Sequence, residues 1–327
     1  MRFDGFYGNG RTKEILSGMF DSRRIPHAIL IDGLQGAGKK SLARIIAAAA
    51  VCESQGALPC GICRQCVNAL GDTHPDIVAF SGAGSRTFGV DVVRKIRLDA
   101  YISPNDAQRK VYILVNIQDM TEQAQNALLK IIEEPPPFVL FIFTCDSRAH
   151  VLETVRSRAQ LIAVGSIPEA EAVRALKEQC EGISDDEALR AARISGGIVG
   201  RARLMLDAGF SEISDFASAF TKALCATDLY AFLSLSGRLE KDGGLFTSFL
   251  DLLPALLRDA ISVRNGGTAS LSGLADEACT LSHAVAVKKL YKAELTALES
   301  RKAADRNANL TLHLTALFSQ LWQDMHE

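Results

Sequence analysis

No stretch of this chain supplies the ~18–20 consecutive apolar residues that a membrane-spanning helix needs. The run "ARIIAAAAVC" at 43–52 is too short and follows a glycine loop. The first residues, "MRFDGFYGNGRTKE", lack the apolar core of a signal peptide. A cytosolic (cytoplasmic) protein with no membrane partner is therefore expected, with its eight Cys mostly reduced. Strong charge of one sign is lacking too. The formal net charge of -2 argues against a basic domain dedicated to nucleic acid, while a local basic face stays open. No internal repeat or low-complexity tract interrupts the chain. What remains, 48% hydrophobic and 23% charged residues in a chain of 327, is a soluble globular profile with length for two or three domains.

Residues 1–165 alternate strands and helices. "HAILIDG" reads as a buried strand ending in glycine, followed by a glycine loop and the helix-forming "KKSLARIIAAAAVC". "KVYILVN" is a second strand. In "MTEQAQNALLKIIEE", Thr121 is a plausible N-cap, Ala124, Leu128, Ile131 and Ile132 share one helical face, and Pro135 to Pro137 stop the helix. "FVLFIFTCD" reads as a strand buried on both faces. This order predicts an α/β domain with a parallel sheet between helices. After about Gly165 strands vanish. Residues 166–210 read as a small helical domain around a Gly-Gly turn. Residues 211–327 read as a third, all-helical domain interrupted by "KDGG" and "RNGGTASLSG".

The loop "GLQGAGKKS" departs from the phosphate-loop pattern G-x-x-x-x-G-K-[ST] at one position. Gly33, Gly38 and Lys39 fit, Gly36 adds a further glycine, but residue 40 is Lys, and Ser41 comes one residue late. The strand–loop–helix context is that of backbone N–H groups cradling phosphate, with Lys39 reaching the outer phosphates. Lys40 cannot ligate Mg²⁺, because an ammonium only donates hydrogen bonds. Ser41 does not replace it, since one helical step turns a side chain by roughly 100°. Sliding the pattern by one residue puts Leu34 and Lys39 where glycines belong. An evolved phosphate loop is expected; whether ATP or ADP still binds is left open, against the alternative of a ligand-free turn.

Cys52, Cys60, Cys63 and Cys66 read C-x₇-C-x₂-C-x₂-C. Four thiolates suit a closed, structural, tetrahedral Zn²⁺ site; disulfides and chance clustering are the competing readings. Cys145, Cys180, Cys225 and Cys279 are scattered and expected as buried apolar thiols. Lys288, Lys289 and Lys292 read as a solvated helix face. His74, before Pro75, reads as a turn residue, and His27 as a capping or packing residue.

Several of these segments together resemble one family, the bacterial clamp-loader subunits of DNA polymerase III within the AAA+ ATPases. They are the glycine loop, the four-cysteine insertion after its helix, "HPD" at 74–76, "TEQAQNALLKIIEEPPP", "TVRSRAQ", "SGGIVGRA" and the tail "RNANLTLHLTALFSQLW". The resemblance implies an AAA+ P-loop domain over 1–165 with the four-cysteine zinc module at 52–66, a lid domain over 166–210 and an oligomerising collar over 211–327. Active relatives, of gamma/tau type, carry two acids at the end of a strand like "KVYIL", one for Mg²⁺ and one to activate water. Here Val115 and Asn116 stand at those positions, and neither can serve; Asp119 comes several residues too late. With the hydroxyl at 40 also missing, the expectation is a delta-prime-type subunit with no intrinsic ATPase. Gamma/tau-type chains often continue past the collar, where this one stops.

The resemblance further implies that Arg158, in the Ser-Arg-Cys motif with Ala159 for its Cys, acts as an arginine finger in a neighbour's ATP site. Arg156 is its near competitor, and a plain surface arginine is the bland reading. Arg201 matches the nucleotide-sensing arginine of the second domain, or it only holds domains together. Thr144 matches a sensor position and reads better as a strand-end residue. The implied partners are gamma/tau and delta subunits, with the sliding clamp and primer-template DNA as part of the complex. The rivals are an active gamma/tau-type ATPase and an AAA+-fold scaffold or nucleic-acid-binding protein outside replication.

Overall fold

The structure, a computed structural model, describes residues 1–81, 89–207, 209–269, 271–304 and 309–326, the side chains of Phe210 and Ser211 excepted. Residues 306–308, which begin the collar-like tail segment, lie outside the described residues. The chain divides into two compact units, Met1–Ser166 and Ile167–Glu327.

The first unit runs α1 (Gly10–Asp21), β1 (Ala28–Asp32), α2 (Lys39–Val51), α3 (Arg64–Leu70), β2 (Ile77–Ser81), α4 (Val90–Ala100), β3 (Lys110–Val115), α5 (Glu122–Glu133), β4 (Val139–Cys145), α6 (Glu153–Arg156) and β5 (Gln160–Ala163). Its five strands form one parallel sheet in the order β2-β3-β4-β1-β5. This is the α/β class with a parallel sheet that the sequence predicts. Side chains alternate along each strand. Ile29 and Ile31 face α1 and α2 with Leu16, Leu42 and Ile46, while Leu30, Tyr112 and Phe141 face α4 and α5 with Ile96, Leu128 and Ile131. All seven residues of β4 are buried, as its composition requires.

The helix α5 follows its sequence closely. The Thr121 hydroxyl accepts the Ala124 N–H at 3.2 Å, and Ala124, Leu128, Ile131 and Ile132 are buried. Strand order decides where chemistry can occur. In the sheet β1 sits between β4 and β5, so the loop after β1 opens beside the end of β4, at the switch point where open α/β sheets place ligands.

The second unit is helical throughout its described residues: α7 (Glu169–Gln179), α8 (Asp185–Ile194), α9 (Val199–Asp207), α10 (Phe210–Cys225), α11 (Leu229–Ser234), α12 (Ser236–Lys241), α13 (Gly243–Arg264), α14 (Ala275–Ala284), α15 (Val287–Ala304) and α16 (Leu310–His326). The boundary expected after residue 210 lies at the first residue of α10. Ile194 and Met205 nevertheless share a core with Phe216, Phe220, Phe249 and Phe318 of the later helices. No described helix is long and apolar enough to cross a membrane.

Candidate functional site

Three of the loop glycines are required by the backbone. Gly38 caps α2 at φ 93°, a left-handed conformation open to glycine at little cost. At Gly33 the backbone runs so close to the residue after β5 that a Cβ would meet the Val164 carbonyl oxygen at 2.2 Å. Gly36 also has positive φ. The Gly33 N–H donates to the Cys145 carbonyl at 3.2 Å, which fastens the loop to the end of β4.

Lys39 begins α2 and is buried. Its Nζ donates to the carbonyls of Gly33 at 2.5 Å and Leu34 at 2.9 Å, and to Asp146 Oδ1 at 2.6 Å. Asp146 exchanges two further bonds with Gln118: its Oδ2 accepts from Gln118 Nε2 at 3.3 Å, and its own N–H donates to Gln118 Oε1 at 3.3 Å. Lys40 and Ser41, by contrast, are exposed and line a separate cavity of about 500 Å³ with Arg44, Asp72 and Ile113.

At the end of β3, Val115 is buried and Asn116 takes a left-handed conformation, donating its N–H to Thr144 Oγ1 at 2.9 Å. Thr144 thereby holds a strand end. Asp119 lies in the turn Ile117–Asp119 beyond the strand. Burial, then the nearby Asp146 charge, push its carboxyl above the usual range, against a hydrogen bond from Asn116. Asp32 at the end of β1 accepts the Arg148 N–H at 3.2 Å. The Cys145 thiol between these acids is pushed up to about 12, first by burial and then by Asp32. Asp146 and Gln118 carry no motif signal. The pairing of β1 with β4 brings Asp146 to Lys39, and the pairing of β3 with β4 brings Gln118 to Asp146.

The four cysteines of the insertion converge. Their sulfurs all lie within 4.8 Å of one another, with Cys52–Cys63 and Cys60–Cys66 each 3.9 Å apart. Sulfurs at ~2.3 Å from a tetrahedral centre stand about 3.8 Å from each other, so the set fits Zn²⁺. Backbone N–H groups of Cys60, Cys63 and Cys66 point at the sulfurs of Cys52, Cys60 and Cys63 at 3.3–3.4 Å. Such donors favour thiolates, and at Cys60 the N–H groups of Cys63 and Ile62 lower the thiol to about 6. All eight cysteines are free thiols. Of the four scattered ones only Cys145 is fully buried. Cys279 is exposed on α14 beside His283, against the expectation of a core thiol.

A sequence model of the family described as "DNA polymerase III, delta subunit" matches residues 8–168. DNA polymerase III subunit delta' of Escherichia coli (strain K12) is 30% identical over 258 residues, covering 77% of this chain and 75% of that protein. The delta' subunit of Haemophilus influenzae is 33% identical over 193 residues, 59% of each chain. The chain belongs to the delta-prime family of DNA polymerase III subunits. The gamma/tau subunit of Mycobacterium bovis is 36% identical over 218 residues, 64% of this chain and 37% of that longer one. Identity alone therefore does not separate a gamma/tau-type subunit from a delta-prime-type one, and this chain spans little more than a third of that gamma/tau relative.

Two of the segments that carry the sequence resemblance meet in space. Arg158, just after α6, is exposed; its Nη2 stands 2.8 Å from Glu133 Oε1 of "IIEEPPP", and its Nη1 donates to the Thr154 carbonyl at 3.0 Å. Arg156 has a buried Nε without a partner. "HPD" is a structural clasp. Asp76 is buried and accepts from the N–H groups of Asn105, Asp106 and Ala107 at 2.6–2.8 Å and from the Asn105 side chain at 3.1 Å. The Asp76 N–H donates to His74 Nδ1, so His74 Nε2 carries the proton that Gln65 Oε1 accepts at 2.7 Å. Arg201 is engaged within the helical unit. Asp251 on α13 lies 3.7 Å from Arg201 of α9 and 2.5 Å from Arg301 of α15. Lys292, expected on a solvated face, covers the buried Asp324 at 3.0 Å.

Proposed function

We propose that the chain works as a non-hydrolysing, delta-prime-type subunit of the DNA polymerase III clamp loader. The observation that carries this reading is the end of β3. Val115 and Asn116 stand where hydrolysing relatives carry an acid for Mg²⁺ and an acid for water, and residue 40 offers an exposed ammonium in place of the metal-binding hydroxyl. Phosphoryl transfer depends on metal and positioning for nearly all of its rate, so the three losses together silence hydrolysis here. The chain then completes the ring with gamma/tau and delta subunits, and the assembled complex opens the sliding clamp and places it on primer-template DNA.

Arg158 is the finger given to a neighbour's ATP. Its planar, permanently charged fork suits developing phosphoryl charge, and its surface position after α6 supports the role. Cys52, Cys60, Cys63 and Cys66 hold a structural zinc that ties the 52–66 insertion together, supported by their sulfur spacing. Arg201, already paired with Asp251, braces helices and does not sense nucleotide. The test is the reconstituted complex. Arg158→Ala is expected to lower its ATPase with assembly intact, and an unchanged rate removes the finger. Co-purification with a clamp and ATPase subunits is expected; their absence supports a scaffold outside replication.

A further inference from the structure

We infer that Asp146 is an internal competitor for the phosphate loop: its carboxylate occupies the place on Lys39 that a nucleotide phosphate oxygen must take. The inference rests on reading 33–41 as a nucleotide loop without hydrolysis. A lysine ammonium has three donors. On Lys39 all three are used, by Gly33 O, Leu34 O and Asp146 Oδ1, and its side chain is only 7% exposed. No fourth partner can be added, so a phosphate oxygen binds Lys39 only by displacing one of the three.

The two carbonyls are poor candidates for displacement. Gly33 is locked by its N–H bond to Cys145 and by the close approach of Val164, and Leu34 follows it in the same tight loop. Asp146 is a side chain, and it is the acceptor that resembles phosphate: anionic, with two oxygens. It is not loosely held, because Gln118 bonds both its carboxylate and its backbone N–H. Asp119 and Asp32 add negative charge around it: after burial, Asp146 is the next cause of the upward shift at Asp119, and Asp32 of that at the neighbouring Cys145. An incoming polyphosphate therefore meets an occupied ammonium and like charges, with no Ser or Thr at residue 40 to bring in Mg²⁺. The ligand class the loop accepts is a nucleoside polyphosphate, and Asp146 sets how weakly.

Equilibrium binding of ADP to the full chain, without and with Mg²⁺, tests this. Asp146→Asn keeps the shape, removes the charge and is expected to tighten Mg²⁺-free ADP binding at least tenfold. Lys39→Ala and the double variant Lys39→Ala/Asp146→Asn are expected to bind equally poorly, since the gain acts through Lys39. Gln118→Leu, which frees the carboxylate without touching it, is expected to tighten binding by a smaller factor, and it serves if Asp146→Asn does not fold. Unchanged affinity in the Asp146 and Gln118 variants, or no ADP binding by any of them, overturns the inference. So does a Mg²⁺-dependent loss in Asp146→Asn, which would make Asp146 a metal ligand. ATP turnover by the wild-type chain would overturn the non-hydrolysing reading while leaving the ADP comparison intact.

Discussion

The Arg158 guanidinium is tethered 2.8 Å from the Glu133 carboxylate, joining the end of α6 to the end of α5. Both side chains are more than a third exposed, and such pairs contribute about 0–1 kcal/mol. Removing either is therefore expected to leave the unfolding midpoint of the isolated chain nearly unchanged. In the reconstituted complex, Arg158→Ala is expected to slow the neighbouring ATP site by about a thousandfold, in the range of arginine fingers, and Arg158→Lys to restore little of it. Site-resolved single-turnover ATP hydrolysis checks this. A large stability loss with no change in hydrolysis would make Arg158 a structural residue.

The sulfur cluster predicts one zinc per chain by elemental analysis. Cys66 is the most buried of the four, so Cys66→Ser is expected to abolish metal retention and lower the unfolding midpoint. Chelation of the wild type is expected to reproduce that midpoint. Metal-free protein whose stability ignores chelator would contradict the assignment.

Asp76 predicts a pH dependence. Burial raises its carboxyl, but three backbone N–H groups and the Asn105 side chain outweigh burial and lower it below the usual range. A depressed carboxylate stabilises the fold fully above its unfolded value of about 3.9, and the contribution is lost as pH falls through the folded value. His74, lowered mainly by burial despite Asp76, folds neutral, so stability also falls as pH drops below about 6.5. Asp76→Ala, which strands several donors, is expected to cost about 3 kcal/mol at pH 7 and to flatten the lower acid phase in denaturant titrations. An unchanged acid profile would show that the clasp carries no linkage.

In the helical unit, Asp251 is almost fully buried between Arg201 and Arg301. Breaking such a cluster by removing one partner costs about 3–5 kcal/mol. Asp251→Ala is expected to show this by calorimetry, and Arg201→Ala to lower stability while leaving ADP affinity unchanged. A loss of ADP affinity without destabilisation would restore the sensing role to Arg201.

The strands β1, β3 and β4 and the helix α5 are legible in the sequence because they are central, continuous apolar runs or have clean capping and periodicity. The edge strands β2 and β5, with half-exposed residues, give no such signal, and neither do α1 and α4. The cysteine set and the glycine loop can be read locally, since each lies within a short segment. The partners of the loop cannot. Asp146 reaches Lys39 through the pairing of β1 with β4, and Gln118 reaches Asp146 through that of β3 with β4, relations that no spacing along the chain encodes. Lys292 lies on a solvated face as expected, but its partner, the buried Asp324 on a different helix, is not legible along the chain for the same reason.

The non-hydrolysing reading meets its most direct test in ATP turnover by the purified full chain, with Mg²⁺, alongside Lys39→Ala. Turnover at background, identical in the two proteins, is the expected result. Turnover above background that Lys39→Ala abolishes would contradict it, and would mean that the loop hydrolyses ATP despite Lys40, Val115 and Asn116.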